Sequence, residues 1–178
     1  MNATRERTAA IPTGTWGLDP VHSSIGFAIT HSGVMTFRGT FDEFDAKLVD
    51  GRLEGTAKVA SVRVDDPQLT GHLQTPDFFD AERHPELRFT SDAIELDGER
   101  VSIPGDLTLR GVTHRVELVG TASGPVADAY GKQRLGLDLE TTVNRRDYGI
   151  DWNMELPTGE PLLADDVLLS ADLALVRS

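Results

Sequence analysis

The sequence predicts an all-β domain: a closed, antiparallel, eight-stranded up-and-down barrel with one short capping helix. Three observations carry this. Apolar and polar residues alternate with period two in stretch after stretch, the mark of half-buried strands. Turn pairs stand between the stretches, at Ser32-Gly33, Asp50-Gly51, Asp97-Gly98 and Arg110-Gly111. Only one segment has helical spacing, and no repeated β-α alternation argues for a parallel sheet. Closure is the expected arrangement because it removes edge strands. A barrel of this size either fills with side chains or holds one small ligand.

The first element is a short entry strand at Thr15, followed by a corner at Asp19-Pro20. From Ser23, Ile25, Phe27 and Ile29 share one face and Ser24, Gly26, Ala28 and Thr30 the other. After the Ser32-Gly33 turn a longer strand is expected through Val49, with Phe37, Gly39 and Phe41 on one face. The glycines at 26 and 39 leave gaps where a bend, a neighbouring backbone or a ligand can approach. Beyond Asp50-Gly51, Leu53, Gly55, Ala57 and Val59 alternate with Glu54, Thr56 and Lys58.

The period then changes. Asp65 or Asp66 is placed to cap a helix with Pro67 at its first position. Leu69, Leu73 and Phe78 recur at helical spacing, giving a helix of at most about three turns. Thr75-Pro76 interrupts it, and Phe78-Phe79 follows as an apolar plug. Strands resume at Glu86 and again from Val101 to Leu109, where Pro104 suggests an edge or a bulge. Val112 to Val119 returns, and Ser123-Gly124-Pro125 reads as a loop. Leu135, Leu137, Leu139, Thr141 and Val143 mark the next strand. Asn144 to Trp152 is an irregular corner, Leu156 to Pro161 a loop, and Val167 to Val176 the last strand.

The chain has 178 residues and a net charge of −12. Its length suits a single domain over residues 15–178 with a sizeable core, preceded by a flexible lead-in at 1–14. The charge disfavours nucleic acid and anionic membrane surfaces as general partners. There are no cysteines, which excludes disulfides and thiolate chemistry. No apolar run approaches the roughly 18 to 20 residues that span a bilayer, so no stable membrane insertion is expected. The N-terminal stretch lacks the apolar run of a secretory signal, and a cytoplasmic location is the expectation.

Several blocks together resemble one family. Leu18-Asp19-Pro20, His22-Ser23, Ile25, Phe27 and His31 lead to Arg38-Gly39-Thr40-Phe41 and Phe44. Asp66, Leu69, Asp77-Phe78-Phe79-Asp80, Pro85, Phe89 and Ser91 follow. Then come Gly105 to Thr113, of the form Gly-x-Leu-Thr-Leu-x-Gly-Val-Thr, and Arg145-Arg146-Asp147-Tyr148-Gly149-Ile150. Asp165-Asp166-Val167 introduces the final strand. In this order the blocks resemble the YceI-like family of bacterial polyisoprenoid-binding proteins, from residue 15 onward. Tyr148 stands for the family's Phe and Ile150 for its Met. The resemblance implies a lipocalin-like barrel whose interior holds a long isoprenoid chain for storage or transport, without catalysis.

The apolar faces offer a matching surface. Phe27, Ile29, Phe37, Phe41, Phe89, Leu107, Leu109, Leu137, Leu139 and Leu169 are the candidate lining. Burying a polyprenyl tail there contributes roughly 0.8 kcal/mol per methylene before ordering costs. Read without the resemblance, the same residues are better explained by a dry core, and the resemblance reverses that preference. The chain has no glycine-rich phosphate loop, so headgroup binding falls to Arg145 and Arg146, with Tyr148 and Trp152 beside them closing the barrel end. An arginine fork binds a pyrophosphate or polarises a quinone carbonyl. The competing reading is a pair of surface salt bridges.

Other chemistries find little support. The five histidines match no metal motif, and there is no Gly-x-Ser-x-Gly elbow. The pairs Asp65-Asp66 and Asp165-Asp166 sit where caps or turns are expected. No metal or cofactor is expected beyond the bound lipid. The alternatives kept open are an enzyme acting on a lipid-like substrate in the same cavity and a structural barrel with a filled core. The oligomeric state is left open by the sequence, with a homodimer through an exposed strand as one option.

Overall fold

The computed structural model describes residues 12–178, so the lead-in expected at 1–14 lies almost wholly outside the described residues. Twelve strand segments form one antiparallel sheet. They are β1 (Thr15–Leu18), β2 (Ser24–His31), β3 (Met35–Phe41), β4 (Phe44–Val49), β5 (Arg52–Lys58) and β6 (Val62–Arg63). After helix α1 (Pro67–Leu73) follow β7 (Glu86–Ser91), β8 (Glu95–Asp97), β9 (Arg100–Leu109), β10 (Val112–Ala127), β11 (Gln133–Asn144) and β12 (Leu163–Arg177).

The cycle β1-β4-β5-β7-β9-β10-β11-β12 closes through β1 against β12, which makes an eight-stranded barrel. Trp16 pairs with Arg177 and Leu18 with Leu175 at that seam. β2, β3 and β6 continue β1, β4 and β5 beyond short breaks. β12 shows this directly: its C-terminal part pairs with β1 and its N-terminal part with β2.

The first break is the 3-10 turn Pro20–His22, which Asp19 caps by accepting from the Val21 amide. The second separates β3 from β4, so the single strand expected through Val49 is two. At the break the Asp42 amide donates to the Ser61 carbonyl at 3.1 Å and the Glu43 amide to Ser61 Oγ at 2.9 Å. The third is the turn Val59–Ser61.

Two further expectations are corrected. Ser123-Gly124-Pro125 is not a loop but lies within β10, where the register against β11 shifts between Ser123 and Val126. The bulge absorbs the proline, and the strand runs on. β9 is an interior strand, paired with β10 on one side and with β7 and β8 on the other. Pro104 sits in it because its carbonyl, and hence its missing N–H, faces the interruption between β7 and β8, where it accepts from the Asp92 amide at 3.4 Å.

The helix is shorter than the apolar spacing suggests. Asp66 caps it by accepting from the Gln68 amide at 2.8 Å. It ends at Leu73, and Phe78 belongs to the turn beyond it. Gln74 to Pro85 then carries the chain back to β7. β6 pairs only with β3, so at this end the sheet parts between β6 and β7, and α1 with Phe78-Phe79 stands at the parting.

The two ends of the barrel are built differently. At the β1 end Trp16, Leu48, Leu53, Ile103, Leu135, Leu137 and Leu175 are buried together as a packed core. At the other end Phe27, Phe41, Val62, Val64 and Leu73 form a second cluster. Phe79 meets Phe27 at 5.9 Å and Phe41 at 5.5 Å between ring centres, both edge-on, as aromatic rings prefer.

Candidate functional site: a two-chambered apolar interior

The second cluster does not fill its end of the barrel. An outer chamber of about 160 Å³ opens there. An inner chamber of about 120 Å³ lies deeper, toward the packed end. Phe41 of β3, Leu87 of β7, Leu107 of β9 and Leu169 of β12 line both, so the two chambers adjoin across these four side chains. Space of this order walled by apolar side chains stays dry and accepts apolar ligands.

Period two fixes which side chains reach this space. Phe27, Ile29, Phe37 and Leu109 line the outer chamber, and Phe89 and Leu139 the inner one. Leu137, on the same face of β11, is buried in the core around Trp16 and lines neither chamber. Gly39 and Gly105 give the aromatics their room. A Cβ at Gly39 would strike the Phe27 ring, and one at Gly105 would strike the Phe89 ring.

The corner after β11 holds the polar candidates. Asn144 caps a short 3-10 helix, Arg145–Tyr148, by accepting from the Arg146 amide at 2.9 Å. Gly149 closes it at φ 75°, a left-handed conformation suited to glycine. This turn divides the arginine pair. Arg145 points inward and is 3% exposed. Its Nε donates to the Ala164 carbonyl, and its Nη1 to the carbonyls of Ile150 and Trp152, each at 2.8 Å. Its Nη2 is buried without a hydrogen-bond partner, 3.9 Å from the Asp165 carboxylate. Desolvation, with repulsion from Arg146, lowers its pKa against the pull of Asp165 and Asp151. Arg145 contributes to the outer chamber wall.

Arg146 points outward. It is half-exposed and its Nε donates to Asp165 Oδ1 at 2.7 Å. That bond raises the arginine pKa and lowers the carboxyl pKa. Tyr148 is fully buried and lines neither chamber. Its ring meets His114 edge-on at 5.1 Å, and burial, then the Asp147 charge, pushes its phenol up to about 12. Trp152 lies in the outer chamber wall, 4.9 Å from the His72 ring and 5.3 Å from Phe78.

Two polar side chains in the outer wall escaped the sequence reading. His31 extends the inward series Ile25, Phe27, Ile29 by one more step, so the alternation contains its signal. His72 stands three residues after Leu69 on the helix, and both face the chamber. Its Nε2 lies 2.9 Å from Asp77 Oδ2. Apart from these, Arg145 and Trp152, the residues of the outer wall are apolar.

Comparison with known proteins agrees with this architecture. The sequence profile of the YceI-like domain matches residues 16–175. A UPF0312 protein of Photorhabdus laumondii is 31% identical over 158 residues, covering 85% of this chain and 80% of the relative. The crystal structure of the YceI protein of Campylobacter jejuni superposes with a TM-score of 0.71 at 27% identity, over 90% of this chain and 96% of that one. A polyisoprenoid-binding domain from Saccharophagus degradans shares the fold, with a TM-score of 0.71 at 14% identity, over 92% of this chain and 98% of that one. The chain belongs to the YceI-like family.

Proposed function

We propose that the protein is a non-catalytic carrier that encloses the tail of a polyisoprenoid, or of a similar long-chain amphiphile, inside its barrel. The observation that carries this reading is the pair of apolar chambers that share four wall residues, which the reading makes the neck between them. Two chambers in series suit an extended apolar chain better than a compact substrate. The kinship of the fold with a domain named for polyisoprenoid binding supports it.

The tail runs from the outer chamber past Phe41, Leu87, Leu107 and Leu169 into the inner one. The polar end stays outside the neck, where Arg145, the Trp152 indole, His31 and His72 are the polar groups of the outer wall. Arg145 Nη2 is the donor left over for it. Arg146 serves at most the exit, since its Nε is held by Asp165.

Native mass spectrometry of freshly purified protein, followed by organic extraction, tests this. A released species with an isoprenoid pattern supports the carrier and names its ligand. If the protein comes clean and long-chain polyprenols added in detergent also fail to bind, the carrier reading falls and the chambers are packing defects of a structural barrel.

A further inference from the structure

A cargo of this kind is held in lipid bilayers and is nearly insoluble in water, so the chamber must meet the surface that holds it. Of the eight large apolar side chains that stand exposed among the described residues, four border the outer chamber, and the others are Val21, Val119, Val126 and Tyr130. Val34 is 86% exposed, Met154 58%, Met35 53% and Leu69 42%. All four stand beside the outer chamber. Leu69 is itself part of its wall. Met35 pairs across the hairpin with His31, another wall residue, and the Val34 amide donates to the His31 carbonyl at 3.3 Å. The Met154 carbonyl accepts from the amide of Leu162, a third wall residue. The Leu162 carbonyl in turn accepts from the Ser32 amide at 2.7 Å, tying the loop of Met154 to the hairpin of Val34.

Three separate segments thus raise apolar side chains around one opening. Exposed apolar groups gathered at an apolar cavity mark an interaction surface. Resting on the carrier reading, we propose that this rim is a docking surface for an electrically neutral, zwitterionic lipid bilayer, from which the cargo enters the chamber without crossing water.

Charge selects the kind of surface. The Met154 loop also carries Glu155 and Glu160, and among the described residues neither is in an ion pair. The net charge of −12 adds a long-range field of the same sign. An anionic leaflet repels both, whereas a neutral one leaves the apolar side chains to insert. With only four such side chains the contact is brief, as a shuttle that must leave requires.

The test uses phosphatidylcholine vesicles containing a long-chain polyprenol. Uptake by the full chain is read by mass spectrometry after gel filtration, and association by vesicle flotation. Wild type is compared with Val34→Asp/Met154→Asp and with Val126→Asp/Tyr130→Asp. The second pair makes the same change of character at exposed apolar positions of the β10–β11 hairpin, Val126 at the end of β10 and Tyr130 in the connection, at the packed end. The rim variant is expected to take up polyprenol from vesicles about ten-fold more slowly. Its uptake from detergent should equal that of wild type, and the control variant should behave as wild type throughout. Adding phosphatidylglycerol to the vesicles should slow uptake by wild type.

Equal uptake by the rim variant and wild type overturns the proposal. So does equal slowing by the control variant, which would reduce the effect to net charge. A change of oligomeric state in the rim variant with unaltered vesicle association also overturns it, and assigns the rim to a second copy of the chain. Vesicle association that depends on the rim, with no polyprenol bound even from detergent, keeps the docking surface and removes the carrier reading.

Discussion

The ring of Phe27 lies across Gly39, its partner on the neighbouring strand. A Cβ at position 39 would stand 2.6 Å from Phe27 Cε1 and 3.0 Å from Val64 Cγ1. The absent side chain thus sets where the aromatic lies, and the aromatic forms part of the outer chamber wall.

Gly39→Ala is therefore expected to destabilise the fold by about 1–3 kcal/mol through overpacking. It should also displace Phe27 and reduce ligand capacity. Gly17→Ala, where nothing stands within 4 Å of the added atom, serves as the control and should be neutral or slightly stabilising. Denaturant unfolding of both variants measures the difference.

Arg145 ties the corner to the barrel by donating to three carbonyls from within a buried site. Arg145→Met leaves those carbonyls without their donor, at an expected cost of about 3 kcal/mol. Arg145→Lys keeps the charge but not the fork, and should recover less than half of that loss. Chemical unfolding gives the stabilities, and bound-lipid mass spectrometry shows whether headgroup retention falls with them.

The neck offers a test of tail length. Leu107→Trp adds bulk where the chambers meet. Short prenyl chains held by the outer chamber should bind as before, while long ones lose affinity. A graded series of polyprenols in native mass spectrometry reads this. Equal loss across all lengths would mean that the chambers do not act in series.

Tyr148 has its phenol pushed up to about 12. Since this folded value lies above that of the unfolded chain, its contribution to stability is complete below about pH 10 and is lost as pH rises from there toward the folded value. In a Tyr130→Phe background, which leaves Tyr148 as the only tyrosine, near-ultraviolet titration should show no phenolate until strongly alkaline pH. The onset should coincide with unfolding.

At the packed end Asp19 accepts from Arg134 at 2.7 Å and faces His22 Nδ1 at 2.7 Å, and Arg134 also reaches Asp128 at 2.9 Å. Hydrogen bonds to His22 for Asp19, and to Arg134 for both carboxyls, hold them below the usual carboxylate range. Depressed folded values mean stability that is present above about pH 4 and lost as pH falls through the folded values. Asp19→Asn should be less stable than wild type at neutral pH, with the gap closing below pH about 4. Urea midpoints across the acid range check the sign.

The resemblance visible in the sequence extended to the architecture because its cues are local. The turn pairs at Asp50-Gly51 and Arg110-Gly111 have positive φ at both residues, as two-residue hairpins require, and that demand is met by neighbours in the chain alone. The misreadings arose where pairing partners override local chemistry. Ser123-Gly124-Pro125 carries every mark of a loop, yet β11 receives it as a bulge. Pro104 looks like an edge residue because its sequence does not reveal that the neighbouring strand is interrupted opposite it.

The sequence by itself determined most of the strands, the hairpin turns, a helix cap at Asp65 or Asp66 and the inward series wherever the alternation is clean. These depend on steric and hydrogen-bonding preferences within a few residues. Tertiary structure decided the seam of β1 with β12, the inward turn of Arg145 away from Arg146, and which end of the barrel is packed. It alone separated Leu137, locked in the core, from Leu139, facing the inner chamber, although both lie on one face of one strand. Alternation states which side chains point inward. Whether they meet or leave a space depends on the distance to the opposite wall, and that is set by strands far away in the chain.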